Sequence, residues 1–438
     1  MSAPARVVVL GAGFGGLEAM LELEERFSGD AAVDLLLVSE SNFFLFTPLL
    51  PQIVSSTVEP RHIVQSLRDI RRRRRFRFLR ASATGVDLGA LCLRSTEGDI
   101  PFDYLILALG SVPNFFGLEG AEHAFTLRSL EDAVLLRDSL LDLLEHADHE
   151  PDPERKRRLL TFVVVGGGYT GVEVITELHS LLYEHVGPRY RGINIADIRL
   201  VLLDAAQEIL VGVDPYIARR AQRKLERQGI ETRLNAKVIR LGGNRVELAG
   251  GETLDAGLII WTAGVRAHPL LESLPVQRNN VGRIVVTPQL HLPDHPRVFA
   301  VGDNALVRGA PPEQSVQVAP VAIEQGKLAA ENVTRGIERR PYLDFNFAPQ
   351  GMLVSLGMND AVVNLMGFRL HGYAAWLLWN AIHLLKLVGL KKQLQVALDW
   401  SLAQLFPRDT SLIRRPPRCK FCHAPAQPDA SSPQEVVQ

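Results

Sequence analysis

Cysteine is nearly absent from this chain: three residues in 438, two of them among the last twenty. That scarcity excludes a disulfide framework and fits a reducing compartment. Charge imbalance is missing too, since 48 Lys and Arg stand against 49 Asp and Glu. A net charge of −1 argues against bulk nucleic-acid binding, so no nucleic-acid partner is expected. There is no secretory apolar region, because Met1 to Arg6 leads straight into a strand and Gly11 ends the run. The expectation is a chain that starts and stays in the cytoplasm. No apolar run reaches the ~20 residues that span a bilayer, so no ion path through a membrane is expected. What is present is a 47% hydrophobic composition and length enough for two or three cored domains.

Two glycine fingerprints stand out: Gly11-Ala12-Gly13-Phe14-Gly15-Gly16 after Val7-Val8-Val9-Leu10, and Gly166-Gly167-Gly168-Tyr169-Thr170-Gly171 after Phe162-Val163-Val164-Val165. Each follows a short strand-forming run and opens a helix. The first glycine permits the tight turn, the second admits a pyrophosphate to the backbone, and the third packs helix on strand. The pyrophosphate then meets free N–H groups and the positive end of the helix dipole. One such motif is weak evidence; two in context predict an α/β protein that binds two dinucleotides, the layout of a flavoprotein taking hydride from a nicotinamide.

Acids end the next strand of each unit: Glu40 after Val33–Val38 and Asp204 after Leu200–Leu203. A carboxylate there accepts from ribose hydroxyls, and Asp204 would repel a 2′-phosphate, which predicts NADH over NADPH. Glu40 lies further from its fingerprint than usual, so a surface strand-end glutamate is the alternative. The apolar loop from Asn42 to Pro51 is expected to lie against a flat apolar ring or to tuck into the core. Strands closing on Gly110 and on Ala263-Gly264 repeat one plan, and Gly302-Asp303 follows a further short strand. Asp303 is either a flavin ligand or a helix cap. The run Arg71–Arg75, with Arg77 and Arg80, reads as the solvated end of a helix; contact with anionic lipid or nucleic acid is the alternative.

These residues resemble the type II NADH:quinone oxidoreductases, the single-subunit, non-pumping NADH dehydrogenases. The resemblance covers roughly residues 5 to 415. It rests on the first fingerprint, Leu45-Phe46-Thr47-Pro48-Leu49-Leu50, Leu107-Ala108-Leu109-Gly110-Ser111 and Val165 through Glu173. Ala263-Gly264-Val265-Arg266-Ala267 and Phe299-Ala300-Val301-Gly302-Asp303 complete it. It implies two Rossmann-type domains plus a C-terminal membrane-docking segment. The expected divisions are an FAD domain in residues 1–125 and 280–340, interrupted by an NADH domain in 126–279. A docking region in 341–415 and a disordered tail in 416–438 would follow. FAD would be held by Gly11, Gly13, Phe14, Gly15, Gly16, Glu40, Thr47, Pro48, Gly110, Gly302, Asp303 and Ala322. NADH would be held by Gly166, Gly168, Tyr169, Thr170, Gly171, Glu173, Asp204, Ala263 and Gly264. Glu173 and Glu324 are the expected catalytic proton groups, and no metal is expected. The implied reaction is flavin-dependent oxidation of NADH with two-electron reduction of a membrane quinone.

One segment departs from the family. Where the family usually reads Ala-Gln-x-Ala-x-Gln, this chain has Ala319-Pro320-Val321-Ala322-Ile323-Glu324, followed by Gln325. Proline donates no hydrogen bond, and an ionised glutamate only accepts. Either Glu324 is protonated by burial, Gln325 takes over, or the acceptor differs. The expected quinone site comprises Pro320, Val321, Glu324, Gln325, Trp379 and His383. Two alternatives stay open: an NADH diaphorase with another acceptor, and a redox-responsive NADH- and FAD-binding signalling protein. The scarcity of cysteine excludes the related disulfide reductases and sulfide:quinone reductases.

Residues Ala374–Leu390 and the helix after them carry apolar residues at helical spacing, with Trp376, Trp379 and Trp400 expected at a membrane interface. Docking on the cytoplasmic face of the cell membrane is the expectation; a homodimer built on the same hairpin is compatible with it. Cys419-Lys420-Phe421-Cys422-His423 has the C-x-x-C-H form of c-type haem attachment, or half of a zinc site. With no export signal and no folded domain around it, the expectation is a tail without haem or zinc.

Overall fold

The computed structural model describes residues 4–29, 31–72, 74–311, 314, 316–349 and 351–412. The expected cysteine pair at Cys419 and Cys422, with His423, lies outside them. From the N-terminus come β1 (Ala5–Leu10), α1 (Phe14–Phe27), β2 (Val33–Ser39), a short helix α2 (Leu67–Arg71), β3 (Arg77–Arg80) and β4 (Tyr104–Leu107). The long α3 (Leu130–His149) leads into β5 (Thr161–Val165), α4 (Tyr169–His179), β6 (Arg199–Leu203), β7 (Glu231–Arg233) and β8 (Leu258–Trp261). Then follow β9 (His291–Leu292), β10 (His295–Ala300) and α5 (Ala319–Ile337). A meander β11 (Gly351–Ser355), β12 (Ala361–Leu365), β13 (Phe368–Gly372) and two helices, α6 (Tyr373–Lys386) and α7 (Leu390–Leu405), complete the described chain.

The first sheet has the order β9-β10-β4-β1-β2-β3, and the second β7-β6-β5-β8. Both fingerprint strands pair in parallel on each side, β1 with β2 and β4, and β5 with β6 and β8. The chain leaves the first sheet after β4, builds the second, and returns through β10. In each sheet the strand order reverses beside the fingerprint strand, and ligands of such folds bind in that crevice. Along β5, Phe162 and Val164 pack into one apolar cluster while Val163 and Val165 pack into another. A parallel sheet covered on both faces explains why these strands read as unbroken apolar runs.

Helix starts differ in an informative way. At α3, Ser129 and Asp132 close a capping box, each side chain accepting from the other's backbone N–H. At α1 and α4 the caps are Gly13 and Gly168, with no side-chain bond to the first-turn N–H groups. Those donors stay free for an anion.

The C-terminal helices pack back onto the first domain. His62 Nδ1 lies 2.6 Å from Asp399, and Lys392 Nζ donates to the Arg61 carbonyl at 2.6 Å. Further on, the buried Arg408 donates to the Ser55 carbonyl at 3.0 Å and to Ser180 Oγ at 3.2 Å, with Glu177 3.7 Å away. The three tryptophans are not at an interface, contrary to the expectation. Trp376, Trp379 and Trp400 are at most 7% exposed, and Trp400 Nε1 donates to Gln52 at 2.7 Å. Their helical faces point inward, because the indoles supply the area that glues the hairpin to the body. Among the described residues no helix is long and apolar enough to cross a membrane.

Candidate functional site

The first crevice is a cavity of about 620 Å³. Gly11, Gly13, Phe14, Gly15, Glu40, Thr47, Gly110, Gly302, Asp303 and Ala322 all line it. The fingerprint glycines divide as their chemistry requires. A Cβ on Gly11 would sit 2.2 Å from the Ala108 carbonyl oxygen, and one on Gly16 2.0 Å from that of Gly11. These two serve the turn and the helix–strand contact. Around Gly13 there is nothing within 4 Å of such a Cβ, so the space is left for a ligand. Pro48 is half-buried in a single helical turn with Thr47. The loop of Asn42–Pro51 tucks into the core at two of its phenylalanines and borders the cavity. Phe44 and Phe46 are core residues against Phe14, at ring separations of 5.1 and 5.7 Å, while Thr47 reaches the cavity.

Asp303 Oδ2 accepts from Ser111 Oγ at 2.5 Å and from Arg128 at 3.3 Å. Glu40 is exposed at the cavity rim, its Oε1 3.3 Å from Ser82 Oγ. Arg128, His268 and Gln317 also line the cavity, outside every sequence motif. No motif marks them; only the return of the chain brings them there. Burial pushes the His268 imidazole below its usual range, against the pull of Glu40. Gln317 Nε2 is buried with no partner among the described residues, a donor free for a carbonyl. Free helix N–H groups, an open second glycine and this orphaned amide fit a flavin dinucleotide.

The second fingerprint is built alike. Cβ atoms on Gly166 and Gly171 would meet backbone at 2.5 and 1.8 Å, whereas Gly168 again faces open space. Asp204 accepts from Gly167 N–H at 2.5 Å and Ala206 N–H at 2.7 Å, which fixes the carboxylate beside the glycine loop. Ala263 lies against Gly166, and Gly264 lies beneath the exposed ring of Phe116. Tyr169 and Thr170 open α4; burial pushes the Tyr169 phenol up to about 12.

Glu173, one turn into α4, accepts from Ser355 N–H at 3.1 Å. The residue is half-buried. Burial lifts its pKa to about 8, opposed by the Ser355 N–H and assisted by Glu177. Glu177 is raised too, chiefly by burial, with the Arg408 guanidinium pulling the other way.

Glu324 corrects an expectation. It is exposed and ion-paired with Lys327 at 2.9 Å, not buried. The face of α5 that packs on α1 is set by Gly326, whose Cβ would meet Gly15 at 2.3 Å, and that turns Glu324 outward. Pro320 is exposed in the first turn of the helix and Val321 is buried. Gln325 is the buried member: its Oε1 accepts from Gly302 N–H at 2.7 Å and its Nε2 is unpartnered. On α6, His383 stacks on Trp379 at 3.8 Å and packs edge-on to Phe46 at 6.1 Å. His383 Nδ1 is 2.8 Å from the Trp379 carbonyl. A carbonyl only accepts, so the ring proton is on Nδ1 and the Nε2 lone pair is free. Burial holds this imidazole neutral, its pKa lowered to about 4. Among the described residues no cluster could hold a metal ion.

A family model described as pyridine nucleotide-disulphide oxidoreductase matches residues 5–326, and one described as NDH2 C-terminal domain matches residues 350–409. The chain is 32% identical over 423 residues to type II NADH:quinone oxidoreductase Ndh of Mycobacterium tuberculosis, covering 92% of this chain and 89% of that protein. It is 33% identical over 415 residues to NdhA of the same organism, covering 91% and 87%. In fold it is similar to NDH2 from Plasmodium falciparum solved in complex with NADH. The TM-score is 0.84 at 20% identity, over 93% of this chain and 99% of that one.

Proposed function

Because the chain belongs to the type II NADH:quinone oxidoreductase family, it is a flavoprotein enzyme that oxidises NADH and reduces a quinone, and we propose that its first crevice holds FAD and its second NADH. The observation that carries this is the pair of open glycines, Gly13 and Gly168, each capping a helix whose first N–H groups are free. FAD, when bound, supplies the acceptor for hydride and the two-electron donor to the quinone.

The chain's own part is binding, orientation and proton handling. Gly11, Gly13 and Gly16 would bring the backbone to the FAD pyrophosphate, and Glu40 and the Asp303–Arg128 pair would hold its ribose and ribityl hydroxyls. Gln317 Nε2 would donate to a carbonyl of the flavin. Gly166, Gly168 and Gly171 do the same for NADH, and Asp204 accepts from its ribose hydroxyls. Holding both dinucleotides in one rigid frame converts an encounter into an intramolecular step. Glu173 is protonated at neutral pH and holds the proton that quinone reduction consumes. Val321 and Trp379, both buried, are the apolar residues assigned to the quinone end. There His383 Nε2 accepts from a quinol hydroxyl, and Gln325 Nε2 donates. FAD and NADH domains follow the divisions given above. The exposed leucines of α6 and α7 dock the protein on a membrane surface at its cytoplasmic face, and the reaction moves no ions across it.

The test is steady-state NADH oxidation by FAD-loaded protein with ubiquinone and menaquinone analogues against ferricyanide. Turnover with quinone on the order of tens per second, within the usual enzyme range, and weakened NADH binding in Gly168→Ala are expected. Fast ferricyanide reduction with no quinone turnover would refute the assignment of the quinone end.

A further inference from the structure

The connector that leaves the first sheet carries an aromatic residue that the core does not use. Ser111–Pro113 pairs antiparallel with Val265–Ala267. Ser111 lines the first cavity, so the stretch from Ser111 to Phe116 runs from that cavity to the loop after β8. Phe116 has a φ of 52°, and its ring is 67% exposed. A bulky residue in the left-handed region is an outlier, and such strain persists only where the surroundings impose it. Here they do. Asn114 Oδ1 accepts from the Phe116 N–H at 3.0 Å, and the Asn114 N–H donates to the Gly264 carbonyl at 3.0 Å. Trp261 Nε1 donates to the Asn114 carbonyl at 2.9 Å. The neighbouring Phe115 packs on Trp261 at a ring separation of 5.6 Å, which leaves Phe116 pointing away from the core.

Gly264 shows what the ring is held against. Its φ is not left-handed, so no backbone conformation calls for glycine there. A Cβ on Gly264 would meet Phe116 Cζ at 3.0 Å and Cε2 at 3.2 Å. Chain neighbours aside, it would meet no other described atom within 4 Å. Glycine is what lets the ring lie over this loop. The second sheet decides which half of a dinucleotide comes to the same place. In the order β7-β6-β5-β8, the fingerprint strand is flanked by β6 on one side and β8 on the other. Asp204 at the end of β6 would take the adenosine ribose, and the pyrophosphate would cross at Gly168. The nicotinamide half is then left for the end of β8, where Gly264 and Phe116 are.

We propose that Phe116 is a binding residue for the nicotinamide half of NADH, its exposed ring packing against the bound nucleotide beside Gly264. The proposal rests on NADH occupying the second crevice and adds a contact outside both glycine fingerprints. A ring already fixed by its backbone loses little freedom on binding, so its contact goes largely into affinity.

The experiment is calorimetric titration of the oxidised, FAD-loaded protein with NAD+ and with ADP-ribose, which lacks the nicotinamide. Phe116→Gly and Phe116→Ala should each weaken NAD+ binding about tenfold, near the low end of what a base gains from an aromatic ring. ADP-ribose binding should not change, and Phe116→Tyr should keep the affinity for NAD+. Glycine adopts a φ of 52° freely, so Phe116→Gly should melt no lower than the wild type in the absence of nucleotide. NAD+ affinity unchanged in the glycine and alanine variants, or equal weakening of both ligands, overturns the proposal. A lower melting temperature with NAD+ affinity kept also overturns it and assigns the ring to packing on Gly264. Gly168→Ala tests the premise separately and should weaken both ligands. If it weakens neither, the NADH site itself is misplaced and the proposal falls with it.

Discussion

Raising the pH through 8 should withdraw the proton that Glu173 holds. Burial moves this carboxyl from 4.5 to about 8, with Glu177 adding to the rise and the Ser355 N–H opposing it. At a factor of ten per pH unit, about nine-tenths of the enzyme carries the proton at pH 7 and about one-tenth at pH 9. Turnover with quinone should therefore fall roughly tenfold over that interval. Reduction of the flavin by NADH, followed by stopped flow, should not follow it, nor should ferricyanide turnover, which consumes no proton. Glu173→Gln should flatten the profile and lower quinone turnover by about a hundredfold, the lower end for loss of a positioned acid. The same group tilts stability. Between pH 4.5 and 8 the folded carboxyl keeps a proton that the unfolded chain has released, so stability falls as pH rises across that window. The full shift corresponds to on the order of 5 kcal/mol. In Glu173→Gln that share of the slope disappears from urea titrations. An alkaline limb that persists in the glutamine variant, or wild-type quinone turnover in it, would refute the role.

Gly171→Ala places a Cβ 1.8 Å from the Gly166 carbonyl oxygen and should give poorly folded protein, whereas Gly168→Ala meets nothing within 4 Å. The latter should keep its melting temperature and lose NADH affinity, read by KM and by thermal scanning. Arg408→Met leaves the buried Glu177 without its cation and should cost about 3–5 kcal/mol in urea unfolding. Adding Glu177→Gln should restore most of it, since the uncompensated charge is then gone. Asp204→Asn should raise the ratio of NADPH to NADH turnover at least tenfold, a difference of about 1.4 kcal/mol. An unchanged ratio would show that Asp204, held by Gly167 and Ala206, does not select the ribose.

Residues 7–16 and 162–171, with the acids that end the next strands, determined by themselves that two dinucleotide units exist. Their information is local, because a positive φ at Gly11 and Gly166 and the close approaches at Gly16 and Gly171 are settled within one strand–turn–helix unit. Spacing likewise marked α6 and α7 as amphipathic. It did not determine which face of each helix is covered. Trp376, Trp379 and Trp400 turned inward and the leucines outward, because the body of the protein already offered Gln52 and an apolar seat. Spacing leaves open whether Glu324 or Gln325 is the buried residue; the contact of Gly326 with Gly15 turns Glu324 toward Lys327 and buries Gln325. Glu173 was legible as a residue but not as an acid with a raised pKa, since Ser355 and the buried Glu177 reach it only when the C-terminal meander folds back. Arg128, Gln317 and the Arg408–Glu177 pair left no mark in the sequence at all. Their partners lie far along the chain, and only tertiary packing decides which distant charges and amides share one low-dielectric space.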